Sequence, residues 1–351
     1  MMNQPLPYKR QWWVLRVGKL SFKFDKRVFP VAVILLLVGF AVLVASINYG
    51  EYDITPWQVI RTLLGLETDS HFHLVVWKFR LPRILISFLI GMALATSGAI
   101  LQGITRNPLA DPALLGVTSG ASLVAVASIV WFRASISALP FTSFLGAVVM
   151  AILIYGLAWK GGTSSVRLIL VGVGLSAITT AITNIMLTFG DIRLVQQAYI
   201  WLSGSVYGRD WGHVSAITPW VAILIPLAIL QARQLNTLNL GEDTAKGLGM
   251  RVEWQRGILL FISVGLASVS VAVAGAVGFV GLVAPHITRR LVGPSHEGLI
   301  PASAFVGGVL VMLSDYISRV VIAPSELPVG LVTAMIGAPY FIYLLYRQRN
   351  R

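Results

Sequence analysis

Long apolar runs separated by short polar segments occupy most of this 351-residue chain. A helix needs about 20 predominantly apolar residues to cross the hydrocarbon core of a bilayer, and the run that begins at Val28 has that length. Charged residues make up only 12% of the sequence, whereas a soluble domain carries about 25%. These features predict an all-α polytopic membrane protein.

We expect about ten transmembrane helices, at residues 28–47, 84–104, 114–132, 141–159, 167–188, 214–232, 255–275, 276–288, 300–318 and 328–346. The eighth segment is too short to cross a bilayer alone and contains Gly278, Gly281 and Pro285, so we expect a broken or partly buried helix there. The transmembrane domain (28–346) then lies between a basic N-terminal tail (1–27) and a short C-terminal tail (347–351).

The distribution of basic residues predicts the orientation of these spans. Most of the 27 Lys and Arg residues lie in the two tails and in the segments that follow even-numbered spans. Because cytoplasmic segments are enriched in Lys and Arg, both termini are expected in the cytoplasm. The bases sit at the ends of apolar runs and form no patch with aromatic side chains, so the net charge of +13 does not indicate a nucleic-acid partner.

The sequence predicts no catalysis by this chain. It has no cysteine and no phosphate-binding loop of the form GxxxxGK[ST], so it is not expected to bind ATP itself. His71 and His73 form an HxH pair without a third ligand nearby, and we predict no metal site. A membrane-embedded enzyme would need a converging nucleophile and base, and a secondary transporter would need charged residues in its spans; neither pattern is present.

The polar segment 233–254 between the sixth and seventh spans contains a candidate short helix from Glu242 to Leu248, bracketed by Gly241 and Gly249. Residues three apart share a helix face, so Ala245 and Leu248 are expected to form a small apolar face. Such a helix at the membrane surface suits insertion into a groove of another protein. The alternative is a solvated loop with a frayed helix.

Five further motifs occur in order along the chain. They are RLPR (80–83), RNPLADP (106–112), GAVGFVGLVAPH (275–286), ELPVG (326–330) and GAP (337–339). Together with the polar segment they resemble the FecCD/BtuC family, the permeases of binding-protein-dependent ABC importers for iron–siderophore complexes, haem and vitamin B12. The resemblance runs from about Trp77 to Leu345.

This resemblance implies a BtuC-like type II importer fold, in which spans 2–5 and 7–10 would be inverted repeats. It implies a permease that takes up an iron–siderophore complex, with haem or cobalamin as the alternative substrate. The implied partners are ABC ATPase subunits inside, a substrate-binding protein outside and a second permease copy or homologous permease. ATP and magnesium would be bound by the ATPase.

The resemblance also implies roles for four groups of residues. Contact with the ATPase is expected at Leu238, Leu240, Gly241, Glu242, Ala245, Leu248 and Gly249. Binding-protein docking is expected at Arg80, Arg83 and Arg319, a cytoplasmic gate at Ser164 and Ser165, and the translocation path at Thr179, Thr183 and Asn184.

Each of these groups has a simpler interpretation. Helix-end arginines commonly reach toward the membrane interface, and Asp315, four residues before Arg319, is placed to pair with it within a helix. The serines fit an ordinary polar turn, and threonine hydroxyls in a helix bond readily to the backbone of their own helix.

Overall fold

The computed structural model describes residues 12–17, 20–25, 27–49, 54–66, 70–160, 162, 164–323 and 325–349. Within this part of the chain, eight helices are long and apolar enough to cross a membrane. A shorter apolar helix at Val117–Trp131 and the helix Val280–Val292 correspond to the third and eighth predicted spans. The prediction of a polytopic helical membrane protein with about ten spans is confirmed.

The helices are α1 (Val28–Asn48), α2 (Pro56–Leu63), α3 (Ser70–His73), α4 (Leu81–Thr105), α5 (Val117–Val126), α6 (Leu139–Ala158), α7 (Ser165–Thr188), α8 (Ile192–Leu202), α9 (Trp211–Leu230), α10 (Ala232–Asn239), α11 (Glu242–Gly247), α12 (Val252–Ala274), α13 (Val280–Val292), α14 (His296–Val320) and α15 (Val329–Arg349). Two π-helical stretches, Leu74–Arg80 and Ala127–Trp131, precede α4 and extend α5. Two short 3-10 turns lie at Pro112–Leu115 and Ile136–Ala138.

The N-terminal region contains a β-hairpin that the sequence analysis did not predict. Strands β1 (Trp12–Val17) and β2 (Leu20–Asp25) pair antiparallel, with Trp13 opposite Phe24. In β2, Leu20, Phe22 and Phe24 alternate with polar residues at the period of a strand, whereas β1 begins with four consecutive apolar residues; the segment had been interpreted only as a basic tail.

Helices α4, α12 and α14 form the centre of the molecule, and small residues let their backbones approach closely. A Cβ atom on Gly91 of α4 would lie 2.1 Å from the Gly307 carbonyl oxygen of α14, and one on Gly98 would lie 1.9 Å from that of Gly281 in α13. Packing through small residues is the usual way in which helices associate in lipid.

The expected break at the eighth span is present, but the helix begins later than predicted. Residues 275–279 are mostly non-helical, Gly275 and Phe279 have φ angles of 73° and 65°, and α13 starts only at Val280. A positive φ is unusual for phenylalanine. It is accommodated because the side chain packs against Gly337 of α15, where an added Cβ would lie 2.4 Å from the Phe279 Cβ atom.

The packing places the two predicted contact regions at opposite ends of α14. Its last two turns carry Asp315 and Arg319 and meet the start of α4 and the end of α1. Its first turn, at His296 and Glu297, contacts Asn236 of α10. The predicted arginine group and the polar segment 233–254 therefore lie at opposite ends of a membrane-spanning helix. The proposed relation of two inverted repeats stays a prediction.

Candidate functional sites at the two ends of the helix bundle

The three predicted docking arginines come together in one group, which we call the arginine cluster (Arg80, Arg83, Asp315, Arg319 and Glu326). Arg83 donates from Nε to Oδ1 of Asp315 at 2.9 Å, and its Nη1 lies 2.9 Å from a Glu326 carboxylate oxygen. Asp315 is only 1% exposed, and its second oxygen lies 3.3 Å from Nη2 of Arg319. The within-helix pair of Asp315 and Arg319 is thus present.

Arg80 and Arg319 also hold the C-terminal end of α1. Nη1 of Arg80 donates to the carbonyl oxygens of Ile47 and Asn48, and Nη1 of Arg319 donates to that of Ser46 at 3.0 Å. The last carbonyls of a helix have no partner within it and carry partial negative charge. Two buried guanidinium groups therefore fix a helix whose sides are largely exposed.

This arrangement differs from simple interfacial anchoring, because the side chains of Arg80 and Arg319 are each 8% exposed and bond within the chain. Arg83, at 12%, is the most exposed of the three, and its partner Glu326 is 29% exposed. The docking role of the three arginines stays a prediction. Its most accessible element is the Arg83–Glu326 pair.

At the opposite end, the polar segment forms two short helices joined by a tight turn. Helix α10 was not predicted. The predicted helix from Glu242 to Leu248 corresponds to α11, which ends one residue earlier, at Gly247. Gly241 and Gly249 have φ angles of 109° and 82°. Both glycines thus adopt backbone conformations that side chains disfavour, in agreement with the predicted turns.

The expected common face of Ala245 and Leu248 is wrong. Ala245 is fully buried within the chain, whereas Leu248 is 66% exposed. Helix α11 ends at Gly247, so Leu248 lies beyond its last turn. Leu238 is also buried, whereas Leu240 and Leu248 are 63% and 66% exposed, and Trp254 at the end of the segment is 68% exposed. A partner would contact these two leucines rather than Ala245.

A buried polar group that the sequence analysis missed joins α10 to α14. The Asn236 side-chain oxygen accepts from the His296 backbone N–H at 3.0 Å and lies 2.8 Å from His296 Nδ1. Its nitrogen donates to Glu297 at 2.6 Å, and Ser295 bonds the same carboxylate. Because these residues are about 60 positions apart, spacing alone gave no indication of the contact.

The predicted gate residues lie at the start of α7. Ser164 is half-buried and precedes the helix in an extended conformation, and Ser165 is its first residue. The side chain of Ser165 lies outside the described part of the structure. The gate role of both serines stays a prediction.

The predicted path residues on α7 divide into two types. Thr183 is buried and donates to the Thr179 carbonyl oxygen at 2.8 Å, and Thr179 donates to that of Leu175 at 3.0 Å. These hydroxyls bond their own helix, which was the simpler interpretation. Asn184 is exposed and shares a face with Thr180 and Thr188, which are also exposed.

A mostly apolar cavity of about 250 Å³ lies where the α4–α5 connection meets the irregular segment before α13. Asp111, Thr118 and Ser203 contribute its polar groups, and the Asp111 carboxylate accepts from the Ala113 N–H at 2.9 Å. The sequence analysis treated Asp111 only as part of a turn. No local pattern distinguishes a turn aspartate that faces solvent from one that lines a cavity.

The sequence of this chain is similar to those of known transport proteins. The model of the FecCD transport family matches residues 34–347. The iron(3+)-hydroxamate import system permease protein FhuG of Bacillus subtilis is 44% identical over 93% of this chain and 99% of its own length. The achromobactin transport system permease protein CbrC of Dickeya dadantii is 41% identical over 96% of this chain and 97% of its own length. The hemin transport system permease protein HmuU of Yersinia pestis is 35% identical over 90% of this chain and 97% of its own length.

Among solved structures, the chain resembles an inward-facing conformation of a metal-chelate type ABC transporter. The TM-score is 0.81 at 31% identity, with 92% of this chain and 99% of the other covered. The similarity therefore extends over nearly the whole helical architecture.

Proposed function

Since the chain belongs to the FecCD transport family, we propose that it is the permease subunit of an ABC importer that carries ferric siderophores across the bacterial cytoplasmic membrane. The observation that carries this proposal is the full-length similarity to a permease for iron(3+)-hydroxamate complexes. Permeases for achromobactin and for hemin are similar over comparable lengths but at lower identity.

The orientation follows from the positive-inside rule. With both termini in the cytoplasm, α11 and its neighbours face the cytoplasm and the arginine cluster faces outward, at the other end of α14. The importer therefore has separate sites for its two kinds of partner.

The ATPase subunit binds at the cytoplasmic end, where Leu240 and Leu248 are exposed. Two leucines beside a short, well-packed helix offer an apolar contact that a groove can enclose. The energy source resides in that partner, because the sequence of this chain contains no GxxxxGK[ST] loop. Cycles of ATP binding and hydrolysis there would switch the permease between inward- and outward-open states.

The substrate-binding protein docks at the outer end through the arginine cluster. Arg83 already holds Glu326 at 2.9 Å, on the exposed side of the cluster. A carboxylate of the binding protein would replace Glu326 on this guanidinium, while Arg80 and Arg319 keep the end of α1 in place. Arginine suits such an exchange because it binds carboxylates in a defined, often bidentate geometry.

A second permease copy or a homologous permease packs against α7. Thr180, Asn184 and Thr188 recur every four residues and are exposed on one face of this span. The Thr188 hydroxyl donates to the Asn184 carbonyl oxygen of its own helix at 2.8 Å, so the Asn184 amide is the main polar group whose exposure to lipid would be costly. A partner helix or a water-filled path would cover it. The path between the two subunits would then pass along α7 and between the gate serines.

Growth on a defined iron source tests the substrate. A deletion strain without a redundant importer should fail to grow when a hydroxamate siderophore is the sole iron source, and the intact gene should restore growth. Parallel cultures test the alternative substrates. They receive haem as the sole iron source or, for a cobalamin-dependent strain, vitamin B12. Loss of growth on haem or B12 with normal growth on the siderophore would contradict the assignment.

A further inference from the structure

Among the residues that the structure describes, Arg256, in the second turn of α12, is the largest side chain that is almost completely buried, at 1% exposure. A buried charge is costly unless it is paired and hydrogen-bonded. The groups that pair with this guanidinium therefore determine how the cytoplasmic end of the protein is held together.

Two carboxylates from different parts of the chain bind this guanidinium. Nη2 donates to Glu242, the first residue of α11, and Nη1 donates to Glu253 at 2.9 Å. Helix α11 is thereby fixed to α12 by an ion pair at its N-terminal end, in addition to the burial of Ala245. Because separation of this pair would leave a buried guanidinium without one of its carboxylates, Glu242 and Arg256 are expected to move together.

Glu253 extends the contact to the turn between α6 and α7. Gly162 in this turn has a φ angle of 138°, and a Cβ atom placed on it would lie 3.3 Å from Oε1 of Glu253. The Gly162 carbonyl oxygen in turn accepts from Nη2 of Arg167 in the first turn of α7, at 3.1 Å. The Gly162 backbone therefore lies beside the Glu253 carboxylate and is bonded to α7, two residues before Ser164.

We propose that Arg256 is a positioning residue that transmits displacement of α11 to the α6–α7 turn and so to the start of α7. The inference rests on the proposed function, since it assigns α11 to ATPase contact and Ser164 to the gate. The relay runs from Glu242 through Arg256 and Glu253 to Gly162. The first two steps are ion pairs, and the last is the proximity of the Gly162 backbone to the Glu253 carboxylate.

Glu242→Gln breaks the first link while the pair of Arg256 and Glu253 remains. Asp243→Asn is the matched control, because it removes a neighbouring, exposed acid from the same helical turn. Both are made in a Ser164→Cys background, which contains a single cysteine because the natural chain has none. The complex with the ATPase and the binding protein is reconstituted in liposomes and labelled with a water-soluble thiol reagent.

In the parent, the labelling rate of the cysteine should differ between the nucleotide-free and ATP-bound states. Glu242→Gln should reduce that difference, and transport per ATP hydrolysed, by about fivefold or more, the lower range of typical coupling between sites. ATPase binding is measured separately for each variant, so that labelling and transport per ATP are compared only in assembled complexes, and Asp243→Asn should behave like the parent. Arg256→Lys, which keeps the charge but cannot bind both carboxylates in the same geometry, should show an intermediate loss.

Two different results would overturn the relay. Suppose the parent responds to nucleotide and Glu242→Gln shows the same nucleotide-dependent labelling and the same transport per ATP. In that case the relay is disproved, but the proposed function is not. If the parent neither binds the ATPase nor responds to nucleotide, the proposed function fails together with it.

Discussion

Arg83 on α4 donates from Nε to Oδ1 of Asp315 on α14 at 2.9 Å, although the two residues are 232 positions apart. The two helices already approach through Gly91 and Gly307, so this ion pair fixes their outer ends as well. The same arginine reaches Glu326 on the exposed side. Arg83 therefore joins the packed core to the surface on which we place the binding protein.

Because Arg83 also pairs with buried Asp315, the charge-reversed permease is first checked for folding by gel filtration. In the folded protein, charge reversal at Arg83 should weaken docking of the binding protein and make its salt dependence shallower, because steering charge is lost. Glu326→Gln should preserve docking or strengthen it, since Arg83 is then freed from an internal competitor. Equilibrium binding of the binding protein to the purified permease, measured at several salt concentrations, gives both quantities.

Arg133→Glu serves as the control for this experiment, because Arg133 is exposed and lies on the same predicted outer side. It should change docking much less than Arg83→Glu. Equal effects of the two reversals would show that only the overall charge of the surface matters. Charge reversal at Arg80 or Arg319 is less informative, because their bonds to the end of α1 make loss of folded protein the expected result.

Gly91→Ala should destabilise the permease, because the new Cβ atom would lie 2.1 Å from the Gly307 carbonyl oxygen. Overpacking of this kind costs about 1–3 kcal/mol. Gly174→Ala in α7 is the matched control, since no atom lies within 4 Å of the added Cβ, and alanine there favours the helix. Thermal unfolding in detergent should separate the two variants. A midpoint for Gly91→Ala equal to or above that of the natural protein would disprove the close crossing.

Leu248→Asp should abolish ATPase binding while the permease stays folded, because this side chain is 66% exposed. Ala245→Trp should instead reduce the yield of folded protein, because Ala245 is fully buried within the chain. Gel filtration in detergent reports folding, and co-purification with the ATPase reports binding. Normal ATPase binding by Leu248→Asp would remove this leucine from the contact surface.

Single cysteines test the membrane orientation, since the natural chain contains none. A cysteine at exposed Arg133 should react with an impermeant thiol reagent in intact cells. A cysteine at exposed Lys246 in α11 should react only after the membrane is opened. The reverse pattern would invert the assignment of both partner surfaces.

Local sequence signals predicted the parts of the structure that depend on local chemistry. Apolar length located the spans, the glycines at 241 and 249 located the turns around α11, and the four-residue spacing of Asp315 and Arg319 predicted their pair. The break before α13 was also predictable from Gly278 in a short apolar run, whereas Pro285 lies inside α13 and does not end it.

The remaining features depend on contacts between distant residues. Ala245 and Leu248 are three positions apart, but whether an alanine faces a partner or its own protein is decided by α10 and α12. The relay residue Arg256 looked like an ordinary basic residue at the cytoplasmic end of a span. Its pair with Glu253 follows the i,i+3 spacing of one helix, but its burial and its pair with Glu242 of α11 are not visible from that spacing.

The most direct test of the account is uptake by proteoliposomes that contain this permease and its ATPase, with the loaded binding protein outside. We predict that radiolabelled iron bound to a hydroxamate siderophore accumulates inside only when the ATPase is supplied with ATP and the binding protein is present. Accumulation without ATP or without the binding protein would contradict the assignment. So would the absence of iron uptake in vesicles that transport haem or cobalamin under the same conditions.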